Sequence, residues 1–405
     1  MKENTVNYQD VLDAQAQQNH IIRKTPLVRS SAFSRILDAE IYFKSEFLQR
    51  TGSFKIRGAY FKIQSLSVKK KNKGVITASA GNHGQGVALA ASLEKIRCTV
   101  IMPKSASPAK ISATREYGAT VILEGSNYEE SWMYAKKLAG KTQATIIHAY
   151  DDSSIIAGQG VVGLEILEQL DDIDEIYVPV GGGGLLAGVL VAIKTKRPDI
   201  KIIGVQSKSH PSMKKSLDVK SHKKIPGKRT IADGIAVSNP GIQTFNIIKK
   251  LVDKIVLVGE EDMIKAMFLL MERSKIIVEP AGVVGVAYLL KNRPRSKKKI
   301  VVILSGGNID MYLLGQIVDK GLATMGRLMK ISVLLPDEAG GLKKLVDEIT
   351  SLNANIVEVV HDRLSFDVYA GSVGVTLSLE MEGKEQSGKL IQHLKNKNIK
   401  FKMMT

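Results

Sequence analysis

Between residues 41 and 310 the chain alternates short apolar runs rich in β-branched residues with longer stretches whose apolar positions recur at helical spacing. The runs that read as strands are Ile41–Lys44, Val75–Ala78, Thr99–Met102, Thr120–Leu123, Thr145–His148, Ile176–Val180, Lys201–Val205, Ile255–Val258 and Lys299–Leu304. Helical patterns lie at Gln85–Glu94, Ala106–Tyr117, Asn127–Leu138, Ser153–Gln169 and Leu185–Thr195. Strand and helix in alternation over this length predict an α/β architecture of mainly parallel sheets covered on both faces. Such sheets place ligands beyond the carboxyl ends of their strands, so the segments after each strand carry the candidate chemistry.

From residue 329 the rhythm changes. A strand at Met329–Leu335, a helix at Gly341–Leu352, strands at Ile356–His361 and within Val368–Glu380, a helix at Gln386–Lys397 and a strand at Ile399–Met403 give the order βαββαβ. That is the ferredoxin-like α+β pattern. Charge changes at the same place: residues 331–405 carry 9 Lys+Arg against 10 Asp+Glu, a net of −1, which leaves +19 of the chain's +18 total on residues 1–330.

A chain of 405 residues, 44% hydrophobic and 24% charged, predicts two or three ordinary folded domains. The basic excess gathers in clusters such as Lys69–Lys73, Lys220–Arg229 and Arg293–Lys299, without interleaved aromatics, and reads as solvated loops rather than a nucleic-acid surface. The single cysteine, Cys98, sits in an apolar run and excludes an intramolecular disulfide. No apolar leader opens the chain, and the longest apolar run is broken by Pro179 and four glycines, so neither a membrane span nor a secretory signal is expected and the protein reads as cytoplasmic. The seven histidines show no ligand spacing, and no metal is predicted.

Four segments stand out. In Ser53-Phe54-Lys55-Ile56-Arg57-Gly58-Ala59, Lys55 opens a helix whose apolar positions are Ile56, Ala59, Tyr60 and Ile63. The dipole at a helix N-terminus and local desolvation both disfavour an ammonium there, which frees the amine for a Schiff base or proton transfer. Taken alone, the segment also reads as a solvated lysine in a first turn. After Val75–Ala78 comes Ser79-Ala80-Gly81-Asn82-His83, whose exposed N–H groups at a helix start suit a carboxylate. After Ile176–Val180 comes Gly181-Gly182-Gly183-Gly184-Leu185, where closely wrapped backbone before a helix suits a phosphate, a plain tight turn being the alternative. After Lys299–Leu304 comes Ser305-Gly306-Gly307-Asn308, which offers a hydroxyl. A lysine amine, a phosphate cradle and a carboxylate pocket together describe pyridoxal phosphate acting on an amino acid.

In order and spacing, these four motifs resemble the fold-type II (tryptophan synthase β-like) pyridoxal-phosphate enzymes, and among them the threonine dehydratases, over about residues 5–325. The resemblance implies a large cofactor-binding domain from 1–50 and 151–325, and a small inserted α/β domain at 51–150. It implies that Lys55 holds the cofactor and moves the α-proton, that Phe54 packs on the ring, and that Asn82 bonds the ring's 3′ oxygen. Ser79, Ala80, Gly81, Asn82 and His83 would form the substrate loop, Gly181, Gly182, Gly183, Gly184 and Leu185 would hold the phosphate, and Ser305 would face the pyridine nitrogen. Gly234, in Asp233-Gly234-Ile235-Ala236, and Glu279, in Val278-Glu279-Pro280-Ala281-Gly282, would lie near the ring. Ala80 stands where serine racemases carry a serine base, and Gln206 stands where metal-binding relatives carry a glutamate.

The segment Pro336-Asp337-Glu338-Ala339-Gly340-Gly341-Leu342 resembles the ligand loop of ACT regulatory domains, so residues 329–405 would bind an amino-acid or nucleotide effector, or serve dimerisation alone. The expected activity is deamination of L-threonine to 2-oxobutanoate and ammonia, with L-serine a second substrate, in a homodimer or homotetramer serving isoleucine biosynthesis. A serine dehydratase or racemase and a non-catalytic amino-acid or nucleotide sensor are the alternatives.

Overall fold

The apolar runs of residues 1–310 become two mainly parallel sheets, and those of 311–405 one antiparallel sheet. The structure is a computed structural model that describes residues 6–18, 20–295, 297–363 and 369–404. It divides into two units, Met1–Asp310 and Met311–Thr405.

Among the described residues the first unit has ten strands: β1 (Leu27–Arg29), β2 (Glu40–Ser45), β3 (Val75–Ala78), β4 (Cys98–Met102), β5 (Thr120–Leu123), β6 (Thr145–Ile146), β7 (Glu175–Pro179), β8 (Lys201–Ser207), β9 (Lys254–Val258) and β10 (Lys299–Leu304). One sheet has the order β1-β2-β10-β7-β8-β9, parallel except at β1, and the other the order β5-β4-β3-β6, parallel throughout. Both are wound alike. From β7 the chain steps outward to β8 and β9 and returns to β10 on the other side of β7, and from β3 it steps to β4 and β5 and returns to β6 on the other side of β3. The loops after β7 and β10, and those after β3 and β6, therefore diverge and open a crevice at each switch point.

Strands β3, β7 and β10 are buried along nearly their whole length, as sheets covered on both faces require. Close backbone approach brings the Lys55 helix to its place. A Cβ at Gly158 would lie 2.6 Å from the Cα of Gly58, so helices Lys55–Gln64 and Ser153–Gln169 meet at a glycine pair that no larger residue can replace without separating them.

The same two helices enclose charge. Arg57 donates to Glu46 at 2.8 Å and to Glu165 at 2.7 Å, and Lys44 donates to Glu165 at 2.6 Å, all four side chains being almost inaccessible. Two cations and two carboxylates balance, which a buried cluster needs because each unpaired charge would carry its full desolvation cost.

The expected strand Thr145–His148 stops at Ile146. Ile147 N–H still bonds Ile76 O at 2.9 Å, but His148 Nδ1 accepts from the N–H groups of Tyr150 and Asp151 at 3.3 and 2.9 Å and turns the chain out of the sheet.

In the second unit β11 (Leu328–Pro336), β12 (Asn355–Asp362), β13 (Ser372–Glu380) and β14 (Phe401–Met403) take the order β12-β13-β11-β14, all neighbours antiparallel, with helices Gly341–Thr350 and Lys384–Asn396 between them in sequence. That is the ferredoxin-like connection. Ile331, Leu345, Ile349, Val375, Leu377, Leu390 and Leu394 form its core. The start expected for β13 at Val368 lies outside the described residues. Helix Met311–Thr324 also falls in this unit.

Candidate active site

Lys55 is the first residue of helix Lys55–Gln64, and its entry is tied to the end of β10: Ser53 bridges Gly306, Phe54 N–H bonds Ser305 O at 3.2 Å, and Gly307 N–H bonds Gly52 O at 2.8 Å. Two segments 253 residues apart in sequence, Ser53 to Gly306, thus share one backbone ladder. The Lys55 stem keeps some solvent contact while its amine is enclosed, donating to Ala149 O at 3.1 Å and lying 5.2 Å from the centre of the Phe54 ring. Burial brings its pKa down to about 8, with the carboxylate of Glu279 opposing the shift. About a tenth of the amine is therefore uncharged at pH 7, far more than for an ordinary lysine, and that fraction can act as a nucleophile or base.

The segment after β3 runs into helix Asn82–Leu93, with Ser79 Oγ accepting from Gly81 N–H at 3.2 Å. A Cβ at Gly81 would meet nothing within 4 Å, so this turn faces open space with the unpaired N–H groups of a helix start beside it. His83 is buried with Nε2 bonded to Ile147 O at 3.1 Å, and burial pushes its pKa down to about 3. The ring is neutral, so His83 brings the loop its backbone N–H rather than a charge.

Asn82 lies 2.8 and 2.9 Å from the two carboxylate oxygens of Glu279 and accepts from Asn308 at 2.7 Å. Glu279 is buried, and burial raises its pKa to about 7 against the opposing bond from Asn82. Gly306 makes room for it, since a Cβ there would stand 2.6 Å from Glu279 Oε1, while Gly234 lies alongside at ordinary contact distance. Beside Gly234, Asp233 pairs with Lys110 at 2.5 Å.

Between β7 and helix Gly184–Lys196 run the four glycines, with Gly183 at φ +100°. Gly182 O accepts from Thr244 Oγ1 at 2.6 Å and from Gly241 N–H at 3.1 Å, which holds the loop against helix Ile242–Leu251. Ser305, buried, directly follows β10, the neighbour of β7. All four motifs thus stand at carboxyl ends of strands or on the ladder joined to one, at the two switch points.

The reading of the motifs missed Ala149 and Tyr150, although they follow β6 as the glycine loop follows β7. It also missed Glu46 and Glu165 as partners of Arg57, because pairs separated by 11 and 108 residues leave no local pattern. Among the described residues no group of three or more His, Cys, Asp or Glu is placed to hold a metal, and no helix is long and apolar enough to cross a membrane.

Residues 19–306 match the family model described as pyridoxal-phosphate dependent enzyme. An L-threonine ammonia-lyase of Thermotoga maritima is 45% identical over 375 residues, 93% of this chain and 94% of that protein. The processed form of threonine deaminase isoform 2 from Solanum lycopersicum superposes with a TM-score of 0.74 at 37% identity, covering 76% of this chain and 92% of that one. Maize serine racemase also superposes with a TM-score of 0.74, at 34% identity, covering 79% and 99%.

Proposed function

The chain belongs to the pyridoxal-phosphate dependent enzyme family, and on that premise we infer that it is a threonine ammonia-lyase, converting L-threonine to 2-oxobutanoate and ammonia with L-serine as a second substrate. The observation that carries this reading is the enclosed Lys55 amine, its pKa brought down to about 8, on a backbone ladder shared with the loop after β10.

The residues present suit the cofactor. Four glycines leave backbone N–H groups bare at the start of a helix, where a phosphate is favoured. The amine of Lys55 is poised to condense with an aldehyde. In this reading Gly181 to Leu185 would hold the phosphate, Phe54 would pack on the ring with Gly234 near it, and Asn82, backed by Glu279, would bond its 3′ oxygen. Ser305 would face the pyridine nitrogen, where a hydroxyl rather than a carboxylate would leave that nitrogen uncharged and weaken the ring's pull on electrons, which suits prompt loss of a β-hydroxyl. Bound pyridoxal phosphate supplies an aldehyde for the substrate amine and a conjugated ring that draws electrons from the α-carbon.

The protein's part is position and proton transfer. Ser79, Gly81, Asn82 and the His83 N–H orient the substrate carboxylate, holding the α C–H bond toward Lys55. Lys55 accepts the α-proton, the C–O bond to the β-hydroxyl breaks as the Cα–Cβ double bond forms, and that oxygen leaves as water with a proton that balances the one Lys55 has taken. Water then replaces the amine nitrogen, so threonine yields one 2-oxobutanoate and one ammonia with no net water. Ala80 has no proton to give from the opposite face, which favours elimination over racemisation.

The second unit is proposed as a regulatory domain of the ACT type, with isoleucine, valine or a nucleotide as effector, on a homodimer or homotetramer working in the cytoplasm in isoleucine biosynthesis. Its support is the βαββαβ order and the loop at 336–342. The purified protein is expected to show a visible cofactor band lost on borohydride reduction, and to release 2-oxobutanoate from threonine while recovered serine stays L. Absence of both the band and the product overturns the reading.

A further inference from the structure

Tyr150 stands against the glycine loop in a way that its sequence neighbourhood does not announce. A Cβ on Gly182 would come within 2.4 Å of the Tyr150 ring, and one on Gly184 within 3.0 Å of the Tyr150 backbone. The ring therefore packs directly against Gly182, on the side where any other residue would carry its Cβ. Its hydroxyl donates to Asn239 O at 3.0 Å, which pins the far end.

The ring is held from behind as well. His148 meets Tyr150 edge-on at 4.7 Å and 86°, and Trp132 meets His148 at 5.1 Å and 88°. Burial lowers the pKa of His148, and its Nδ1 accepts from the N–H of Tyr150 itself. The following residue, Asp151, accepts from the N–H groups of Ile242 and Gln243 at 2.9 Å each, at the start of the helix on which Gly182 O is anchored through Thr244. The preceding residue, Ala149, receives the Lys55 amine. Three consecutive residues thus touch the lysine, the glycine loop and the helix that braces the loop.

We propose that Tyr150 is a positioning residue for the phosphate end of the cofactor: its ring, set by His148 and Trp132, keeps the Gly181–Gly184 backbone in its anion-binding shape. This rests on the reading of that loop as the phosphate site. A glycine loop is costly to order, and a wall that orders it before binding spares that cost at the moment of association.

The test is equilibrium dialysis of pyridoxal phosphate against the full chain. Tyr150→Phe keeps the ring and is expected to bind with wild-type Kd to within about threefold, whereas Tyr150→Ala is expected to bind about tenfold more weakly, since the loop must then be ordered on binding. Gly182→Ala drives a methyl into the ring and also weakens binding. Because the three nearest atoms to that methyl all belong to Tyr150, the double variant Tyr150→Ala, Gly182→Ala is expected to bind better than Gly182→Ala alone. That rescue would not arise from a general loss of folding. Gly183→Ala, strained at φ +100°, tests the loop itself. Weakened binding there with wild-type Kd in Tyr150→Ala overturns this proposal alone. Unchanged binding in Gly183→Ala removes the loop as the phosphate site, and the proposal with it.

Discussion

Asn82 and Glu279, 197 residues apart, are joined by contacts of 2.8 and 2.9 Å from one amide nitrogen to both carboxylate oxygens. The pair spans the two sheets' crevices, since Asn82 follows β3 and Glu279 N–H bonds Gly306 O beyond β10. A buried carboxylate with a single strong donor remains underpaid in hydrogen bonds, which is why burial still prevails and its pKa stands near 7.

Replacing Glu279 by Gln should therefore change how stability depends on pH. In the native cofactor-free protein the carboxyl titrates near 7, and in the unfolded chain at its usual 4.5. Between these values the native state holds a proton that the unfolded state has released, so wild-type stability falls as pH rises from 4.5 to about 7 and is level in this respect outside that window. The fall is on the order of 3 kcal/mol. Urea unfolding across that range should show this slope in the wild type and lose it in Glu279→Gln, and an equal slope in both proteins would place the titration elsewhere.

Lys55→Met should abolish deamination and yet stabilise the cofactor-free protein at pH 7. The amine's pKa is brought from its usual 10.5 to about 8 by burial, so below pH 8 folding carries a penalty on the order of 3 kcal/mol for the enclosed charge. As pH rises from 8 to 10.5 the unfolded chain alone still holds the proton, and the penalty disappears. Denaturation curves of both proteins should converge toward pH 10.5, while turnover of threonine by Lys55→Met at a rate near wild type would exclude the mechanism.

Arg57→Met is expected to cost about 3–5 kcal/mol, because it leaves Glu46 and Glu165 buried with Lys44 as their one remaining cation in the cluster. Arg57→Lys should recover only part of this, since an ammonium cannot reproduce the forked bonds to two carboxylates. A loss under 1 kcal/mol for Arg57→Met in urea titration would mean that the cluster relaxes or takes up water.

A chain ending at Asp310 should still fold, bind pyridoxal phosphate and deaminate threonine, since every candidate site residue precedes the boundary between the two units. It should no longer respond to an effector. If the second unit is regulatory, an effector coupling of about 1–3 kcal/mol would change the full-length protein's threonine affinity several-fold or more. Kinetics with isoleucine, valine and nucleotides on both proteins decide this: equal shifts in the two would clear the second unit of the sensing role.

What the sequence determined by itself is the order of strands and helices and the four glycine- or lysine-marked segments. Strands such as Val75–Ala78 and Lys299–Leu304 and the helix Ser153–Gln169 end where the residue pattern ends, because apolar period, glycine and capping act within a few residues. Elements with weaker local signals, such as helix Tyr8–Gln18 and the three-residue edge strand β1, were not legible, since their place depends on what they pack against. Only the tertiary structure decided the rest. It turned the His83 ring onto Ile147 O, ended β6 at Ile146 so that His148 could hold Tyr150, and joined Asn82 to Glu279 and Arg57 to Glu165. These are pairings between segments brought together by the two sheets' winding. Their energies depend on burial and mutual distance, which exist only once the chain has folded.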